Sequence, residues 1–352
     1  MRLRIPACWR GCAVTPLDCS PTHAHTAMTI ADSNSSETVL PTAPTRVVIG
    51  QDAHVAIKAA LLRERPDLEV RGGKFTEIRL EDLVWGEAYL GFRRPPLPSL
   101  GNIRWVHSTG AGVDAWLYPE ELSRDILLTR SSESFGPMIA EWALARALAF
   151  SQRVVALADA QRQKRWDKVD VPMLAGTTAL VIGTGDVGAH VGALFKALGC
   201  HVRGVSRSGR GDSSVFESVA SASDLANAVV GANWIVVMLP LTNETRGLVS
   251  RTVLRQCAGA VLMNAGRGPV VDESALPEAL DKGWLRGAAL DVFEVEPLPA
   301  TSPLWGDERV MISPHIAGLT TVEGAVAGFV ECLEDLEHNR APKWVVNRER
   351  QY

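Results

Sequence analysis

VIGTGDVG, residues 181–188, ends an apolar run and leads straight into DVGAHVGALFKAL (186–198), whose apolar residues recur at helical spacing. Gly183, Gly185 and Gly188 stand in G-x-G-x-x-G register. Gly183 permits a tight turn, Gly185 lets the backbone approach a pyrophosphate, and Gly188 lets the helix pack closely on the strand. The helix N-terminus then faces the anion, where free N–H groups and the helix dipole favour negative charge. A glycine-rich turn alone carries little weight. Here a strand precedes it, a helix follows, and HVRGVS (201–206) reads as the next strand, so the segment predicts a dinucleotide-binding βαβ unit.

Around this unit, TALVIG (178–183), NWIVVML (233–239), GAVLMNA (259–265), LRGAALDVF (285–293) and RVMIS (309–313) read as further strands, with helical stretches between most of them. Upstream, RVVIG (46–50), DLEV (67–70), EAYLGF (87–92) and IRWVH (103–107) form a second series, with AHVAIKAALLRE (53–64) as a helix between the first two. The two series imply an α/β protein of two doubly wound parallel sheets with helices on their faces. PMIAEWALARALAFSQRVVALADAQRQ (137–163) reads as one broken helix or two consecutive ones linking them. The tail from Thr320 to about His338 is amphipathic, and its position lets it return to the first series.

A chain of 352 residues suits two cores better than one. With 36 basic and 40 acidic side chains the formal charge is −4, which argues against a general binder of nucleic acid or anionic membrane. No run of 18 apolar residues occurs, so no transmembrane helix is expected and the cytoplasm is the expected location. Cys200, Cys257 and Cys332 are scattered in apolar segments and read as reduced packing residues. Residues 1–44 lack periodicity, are rich in Ser, Thr, Pro and Ala, and read as a disordered extension. A transit peptide, an early start codon with Met28 as the next initiator, or a metal site at Cys8, Cys12 and Cys19 are alternatives there. The cysteine spacing matches no standard zinc pattern, so no metal is expected.

Four segments place polar residues where strands end. After the second strand of the motif come Ser206, Arg207, Ser208, Gly209 and Arg210, where a dinucleotide site commonly presents an acid to the ribose. No acid stands there. A basic residue between two hydroxyls suits a 2′-phosphate, and hence NADP(H) over NAD(H), although a solvated loop gives the same pattern. Arg267 lies between two glycines in NAGRGPVV (264–271), Asp291 and Glu296 follow a strand in LDVFEVEP (290–297), and His315 follows one in SPHIAG (313–318). Each has a bland explanation as a solvated or structural residue. Together they are what reduction of a keto acid needs: a two-pronged cation for the carboxylate, an imidazole to protonate the new alkoxide, and an acid to keep it charged.

These motifs, with STGAGVD (108–114), AEWAL (140–144) and MLPLTNETRGLV (238–249), resemble the D-isomer-specific 2-hydroxyacid dehydrogenase family, which includes glyoxylate/hydroxypyruvate reductases. The resemblance runs from about Thr45 to Asn347. It implies a hydride transfer between NAD(P)H and C2 of a small 2-keto acid such as glyoxylate or hydroxypyruvate, with Arg267 on the carboxylate, His315 as acid/base and Glu296 as its partner. It implies that Ala111 and Gly112 assist Arg267 through their N–H groups, that Asp186 and Val187 meet the pyrophosphate, and that Leu239 and Pro240 lie along the adenosine. It further implies that Asp291 meets the nicotinamide amide, with Ala265, Gly266 and Gly318 also at the cofactor. The implied organisation is a flavodoxin-like substrate domain (45–137 plus 319–348) around an inserted Rossmann domain (138–318), dimerising through the insert. Phosphoglycerate dehydrogenase-type activity, a hydride donor such as formate on the same scaffold, and a corepressor-like NAD(P)H sensor are the alternatives.

Overall fold

The first strand series folds as one parallel sheet: β1 (Arg46–Gly50), β2 (Glu69–Gly73), β3 (Ala88–Leu90), β4 (Trp105–Ser108) and β5 (Leu127–Arg130), in the order β2-β1-β3-β4-β5. The computed structural model describes residues 40–131 and 135–352. Cys8, Cys12, Cys19 and residues 1–39 of the expected extension lie outside the described residues. Leu40 and Ala43, which the sequence reading placed in that extension, rest against the core of this first sheet.

The second sheet holds β6 (Thr178–Ile182), β7 (His201–Ser206), β8 (Ser218–Ser221), β9 (Trp234–Val237), β10 (Ala260–Asn264), β11 (Leu285–Leu290) and β12 (Val310–Ile312). Its order is β12-β11-β10-β9-β6-β7-β8, again parallel throughout. The order reverses at β6, between β7 and β9, which is where a doubly wound sheet opens a crevice at the carboxyl ends of its strands. The first sheet has the equivalent reversal between β1 and β3.

Both sheets are covered on both faces, as their near-continuous apolar strands require. In the second sheet Ile182, Val237, Leu262 and Leu290 pack to one side, and Val181, Val236, Val261, Met263 and Ala289 to the other. In the first, Val47, Ile49, Leu90 and Trp105 face the helix Val322–Glu337, which lays Ala325, Val326, Phe329, Cys332, Leu333 and Leu336 on them. Phe329 stacks on Trp105 with ring centroids 4.5 Å apart. Beneath it His107 is fully buried between the Thr129 and Ser131 hydroxyls at 2.8 and 2.9 Å, and burial pushes it down to about 3, so it is neutral packing.

The linking stretch is two helices, Gly136–Ser151 and Val154–Arg162, broken at Arg153, which takes φ +54°. Two strands went unread in the sequence. LLTR of β5 is short, and SVAS of β8 is a polar edge strand with no buried residue. Cys200, Cys257 and Cys332 are free and buried, as expected of packing thiols. Among the described residues no helix is long and apolar enough to cross a membrane.

Candidate active site

The carboxyl ends of the two sheets line one cleft of about 630 Å3. Gly50 at the end of β1 and Gln51 just after it enter the cleft, with Phe75 after β2, Phe92 and Arg93 after β3, and Gly110 to Gly112 after β4. From the other side come Ala265 and Arg267 after β10, Asp291, Phe293 and Glu296 after β11, and His315 after β12. Of the residues singled out in the sequence, Ala111, Gly112, Ala265, Arg267, Asp291, Glu296, His315 and Gly318 are brought together here.

His315 and Glu296, separated by 19 residues, meet directly: Nδ1 of the imidazole lies 2.8 Å from Oε2 of the carboxylate. Both side chains keep about a third or less of their surface exposed, 34% and 27%. The other carboxylate oxygen of Glu296 accepts the Phe293 N–H at 3.1 Å. Burial acts to raise the Glu296 carboxyl, but the hydrogen bond and charge of His315, the Phe293 N–H and the charge of Arg267 outweigh it. The carboxyl is therefore held below the usual glutamate range. With Nδ1 engaged, Nε2 is the imidazole nitrogen left free to serve the cleft.

The backbone that presents His315 is left-handed, at φ +55°, a conformation that needs support from its surroundings. Asp291 supplies it. Its carbonyl accepts the His315 N–H at 2.8 Å. Its buried carboxylate accepts Ser313 Oγ at 2.6 Å, the Ile316 N–H at 3.0 Å and the Ala317 N–H at 2.8 Å. Asp291 thus anchors the histidine loop, a positioning role that its place after β11 did not reveal.

Arg267 is mostly buried, with 16% of its side chain exposed. Its Nε donates to Asp114 Oδ1 at 2.7 Å and its Nη1 to the Gly266 carbonyl at 2.8 Å. The remaining guanidinium edge lies against Gly112, where an added Cβ would stand 1.6 Å from Nη2. The buried Asn264 shapes the turn beneath, accepting the Gly266 N–H and donating to the Arg267 carbonyl, each at 3.1 Å. The result is a fixed two-pronged cation beside the Ala111–Gly112 backbone, suited to a carboxylate.

The glycine-rich turn separates into three distinct needs. Gly183 has φ +107°, and a Cβ there would approach the Met238 carbonyl to 2.7 Å. At Gly188 a Cβ would stand 1.8 Å from the Gly183 carbonyl, so helix and strand touch through their backbones. At Gly185 an added Cβ would meet nothing within 4 Å. That glycine therefore leaves open space for a ligand at the N-terminus of the helix Asp186–Ala197, the cradle a diphosphate needs. Asp186 and Val187 begin that helix, and Leu239 and Pro240 follow β9, with the Leu239 backbone packed against Gly266.

Beyond β7 the loop folds back on itself. Ser206 Oγ donates to the Arg210 carbonyl at 2.8 Å and accepts the Arg210 N–H at 3.0 Å. Ser206, the hydroxyl expected at a phosphate, closes this turn, standing three residues before a left-handed Gly209 and bonding across it. Ser208 and the side chains of Arg207 and Arg210 remain exposed.

Sequence reasoning missed Asp114, Asn264 and the first-sheet lining of Gln51, Phe75, Phe92 and Arg93. Asp114 stood inside the quoted TGAGVD motif, and its charge beside glycines was the available signal. Asn264 likewise opened the quoted NAGRGPVV motif, and the first-sheet residues gave no signal.

The family profile of the D-isomer specific 2-hydroxyacid dehydrogenase NAD binding domain matches residues 144–317. Glyoxylate/hydroxypyruvate reductase A of Serratia proteamaculans is 33% identical over 301 residues, covering 82% of this chain and 93% of that protein. A D-isomer specific 2-hydroxyacid dehydrogenase of Xanthobacter autotrophicus, solved with NADPH and MES, superposes with a TM-score of 0.76 at 33% identity, over 88% of this chain and all of that one. An NADPH-dependent glyoxylate/hydroxypyruvate reductase of Sinorhizobium meliloti, solved with NADP and sulfate, gives 0.77 at 27% identity with the same coverage.

Proposed function

The chain belongs to the D-isomer specific 2-hydroxyacid dehydrogenase family, and from that premise we propose that it reduces a small 2-keto acid of the glyoxylate or hydroxypyruvate class to the 2-hydroxy acid, of D configuration where C2 becomes a stereocentre. The observation that carries this reading is the meeting of Arg267, Glu296 and His315 in one cleft, with His315 hydrogen-bonded to Glu296 at 2.8 Å.

The guanidinium of Arg267, with Nε held by Asp114, offers its free edge to the substrate carboxylate, and the Ala111 and Gly112 N–H groups assist. The adjacent carbonyl then lies toward His315, whose Nε2 donates a proton to the oxygen as C2 is reduced. A bound nicotinamide would supply the hydride. Glu296 stabilises the imidazolium before transfer and orients the ring throughout. His315 regains its proton from solvent, and in the reverse direction it takes the hydroxyl proton. The test is a panel of 2-keto acids assayed with NADH and NADPH. Turnover of glyoxylate or hydroxypyruvate supports the reading, and inactivity across the panel refutes it.

The cofactor reading is a preference for NADPH. No acid stands among residues 206–211, and Arg207 and Arg210 are exposed cations on a turn tied to the glycine-rich loop, where Thr184 Oγ1 donates to the Arg210 carbonyl at 2.9 Å. An arginine on a 2′-phosphate in water is worth about five- to thirty-fold in affinity. NADPH should therefore exceed NADH in kcat/KM, and Arg207→Ala should shrink the ratio by about that factor. A parent enzyme that favours NADH would remove the assignment.

A homodimer is the proposed assembly. Val154, Val155, Trp166 and Met173 lie close in sequence and expose 52%, 49%, 94% and 74% of their surface, apolar side chains that a partner copy could cover. Sedimentation should give a dimer mass, and Trp166→Glu with Met173→Glu should shift it toward the monomer. A parent that sediments as a monomer would exclude this.

A further inference from the structure

The roles above leave one wall of the cleft unused. Arg267, Ala111 and Gly112 take the carboxylate, and His315 takes the carbonyl oxygen. Whatever extends beyond C2 must then lie along the first-sheet wall, formed by Gln51, Asp52, Phe75, Phe92 and Arg93 with Trp305 opposite. Gln51 is already fixed, its Oε1 accepting Thr109 Oγ1 at 2.8 Å.

Arg93 is the charged residue of that wall with donors to spare. Its backbone is fixed, the carbonyl accepting the Tyr89 hydroxyl at 3.1 Å. Its guanidinium carbon stands 5.5 Å from the centroid of the Phe75 ring. Among the described residues its side chain makes no hydrogen bond or ion pair, in contrast to Arg94, which donates to the Glu120 carbonyl. Packing over an aromatic face orients a guanidinium while leaving its in-plane N–H edge for an acceptor. A planar carboxylate matches that edge.

We propose that Arg93 forms a distal anion subsite and that the enzyme accepts 2-keto dicarboxylates, with the second carboxylate on Arg93. This rests on the reductase reading and deepens it. A phosphate suits the wall less well. One exposed guanidinium must hold a dianion there with no second cation on this wall, and Asp52 lines the same wall and opposes the extra charge.

The experiment compares 2-oxoglutarate, 3-phosphohydroxypyruvate and glyoxylate in the parent and in Arg93→Met, which keeps an unbranched side chain but removes the guanidinium and its charge. Glyoxylate has nothing beyond C2 and serves as the reference. The ratio of kcat/KM for 2-oxoglutarate over glyoxylate should fall by about three- to thirty-fold in Arg93→Met, mainly through KM. An unchanged ratio overturns the proposal, as does a larger dependence on Arg93 for the phosphorylated acid. The rise in Tm that 2-oxoglutarate gives the parent, and its loss in Arg93→Met, reads the subsite without turnover. Glyoxylate reduction with an unchanged ratio therefore defeats the subsite alone, whereas no turnover of any acid defeats the reductase reading.

Discussion

Arg267→Ala is expected to lower kcat/KM for the keto acid by about 100-fold or more. The guanidinium edge left beside Gly112 can make two charge-assisted hydrogen bonds to the carboxylate, each worth about 1.5–3 kcal/mol. Losing both amounts to about 3–6 kcal/mol of transition-state stabilisation, at about 1.4 kcal/mol per tenfold. Arg267→Lys keeps the charge and loses the fork, and should cost about tenfold or more. Asp114 is left without its cation in the alanine variant, so a Tm measurement accompanies the kinetics. If both variants keep parental kcat/KM, the carboxylate is held elsewhere.

The second large effect is expected at His315. In His315→Asn the cleft keeps a polar group of similar size but has no proton to give, and general acid catalysis contributes about 100- to 10,000-fold. The loss should appear in kcat, with cofactor affinity retained. Glu296 is held below the usual glutamate range and so stays anionic through neutral pH, where it is hydrogen-bonded to His315 Nδ1. Glu296→Gln keeps the shape of that group but removes its charge, and kcat for keto-acid reduction should fall. A parental kcat in Glu296→Gln would separate the two residues functionally. The same depression has a consequence for stability: the contribution of Glu296 is present above the ordinary glutamate value and is lost as pH falls through the lower value in the fold.

The parts of this molecule legible in its sequence were those whose physics is local. VIGTGDVG carries its strand, turn and helix within eight residues, and Gly183 and Gly188 show the backbone constraints assigned to them. The strand ends that carry Arg267, Glu296 and His315 were visible because an apolar run stopping at a polar residue marks the carboxyl edge of a parallel sheet. Contacts across the fold were not visible. Asp114 and Arg267 are 153 residues apart and meet because β4 and β10 bring their loops to one cleft. Phe75, Phe92 and Arg93 give no periodic or motif signal, since only the convergence of the two sheets makes them a wall. β8 escaped because an edge strand such as SVAS needs no apolar face. Ser206 shows the converse, a residue at the expected place whose hydroxyl is spent on its own turn.

The central claim is tested most directly by incubating the enzyme with equimolar hydroxypyruvate and NADPH and determining the amount and configuration of the product. The account predicts one glycerate formed per NADPH oxidised, with the D configuration. No keto-acid-dependent oxidation of NADPH or NADH, or glycerate of the L configuration, would contradict it.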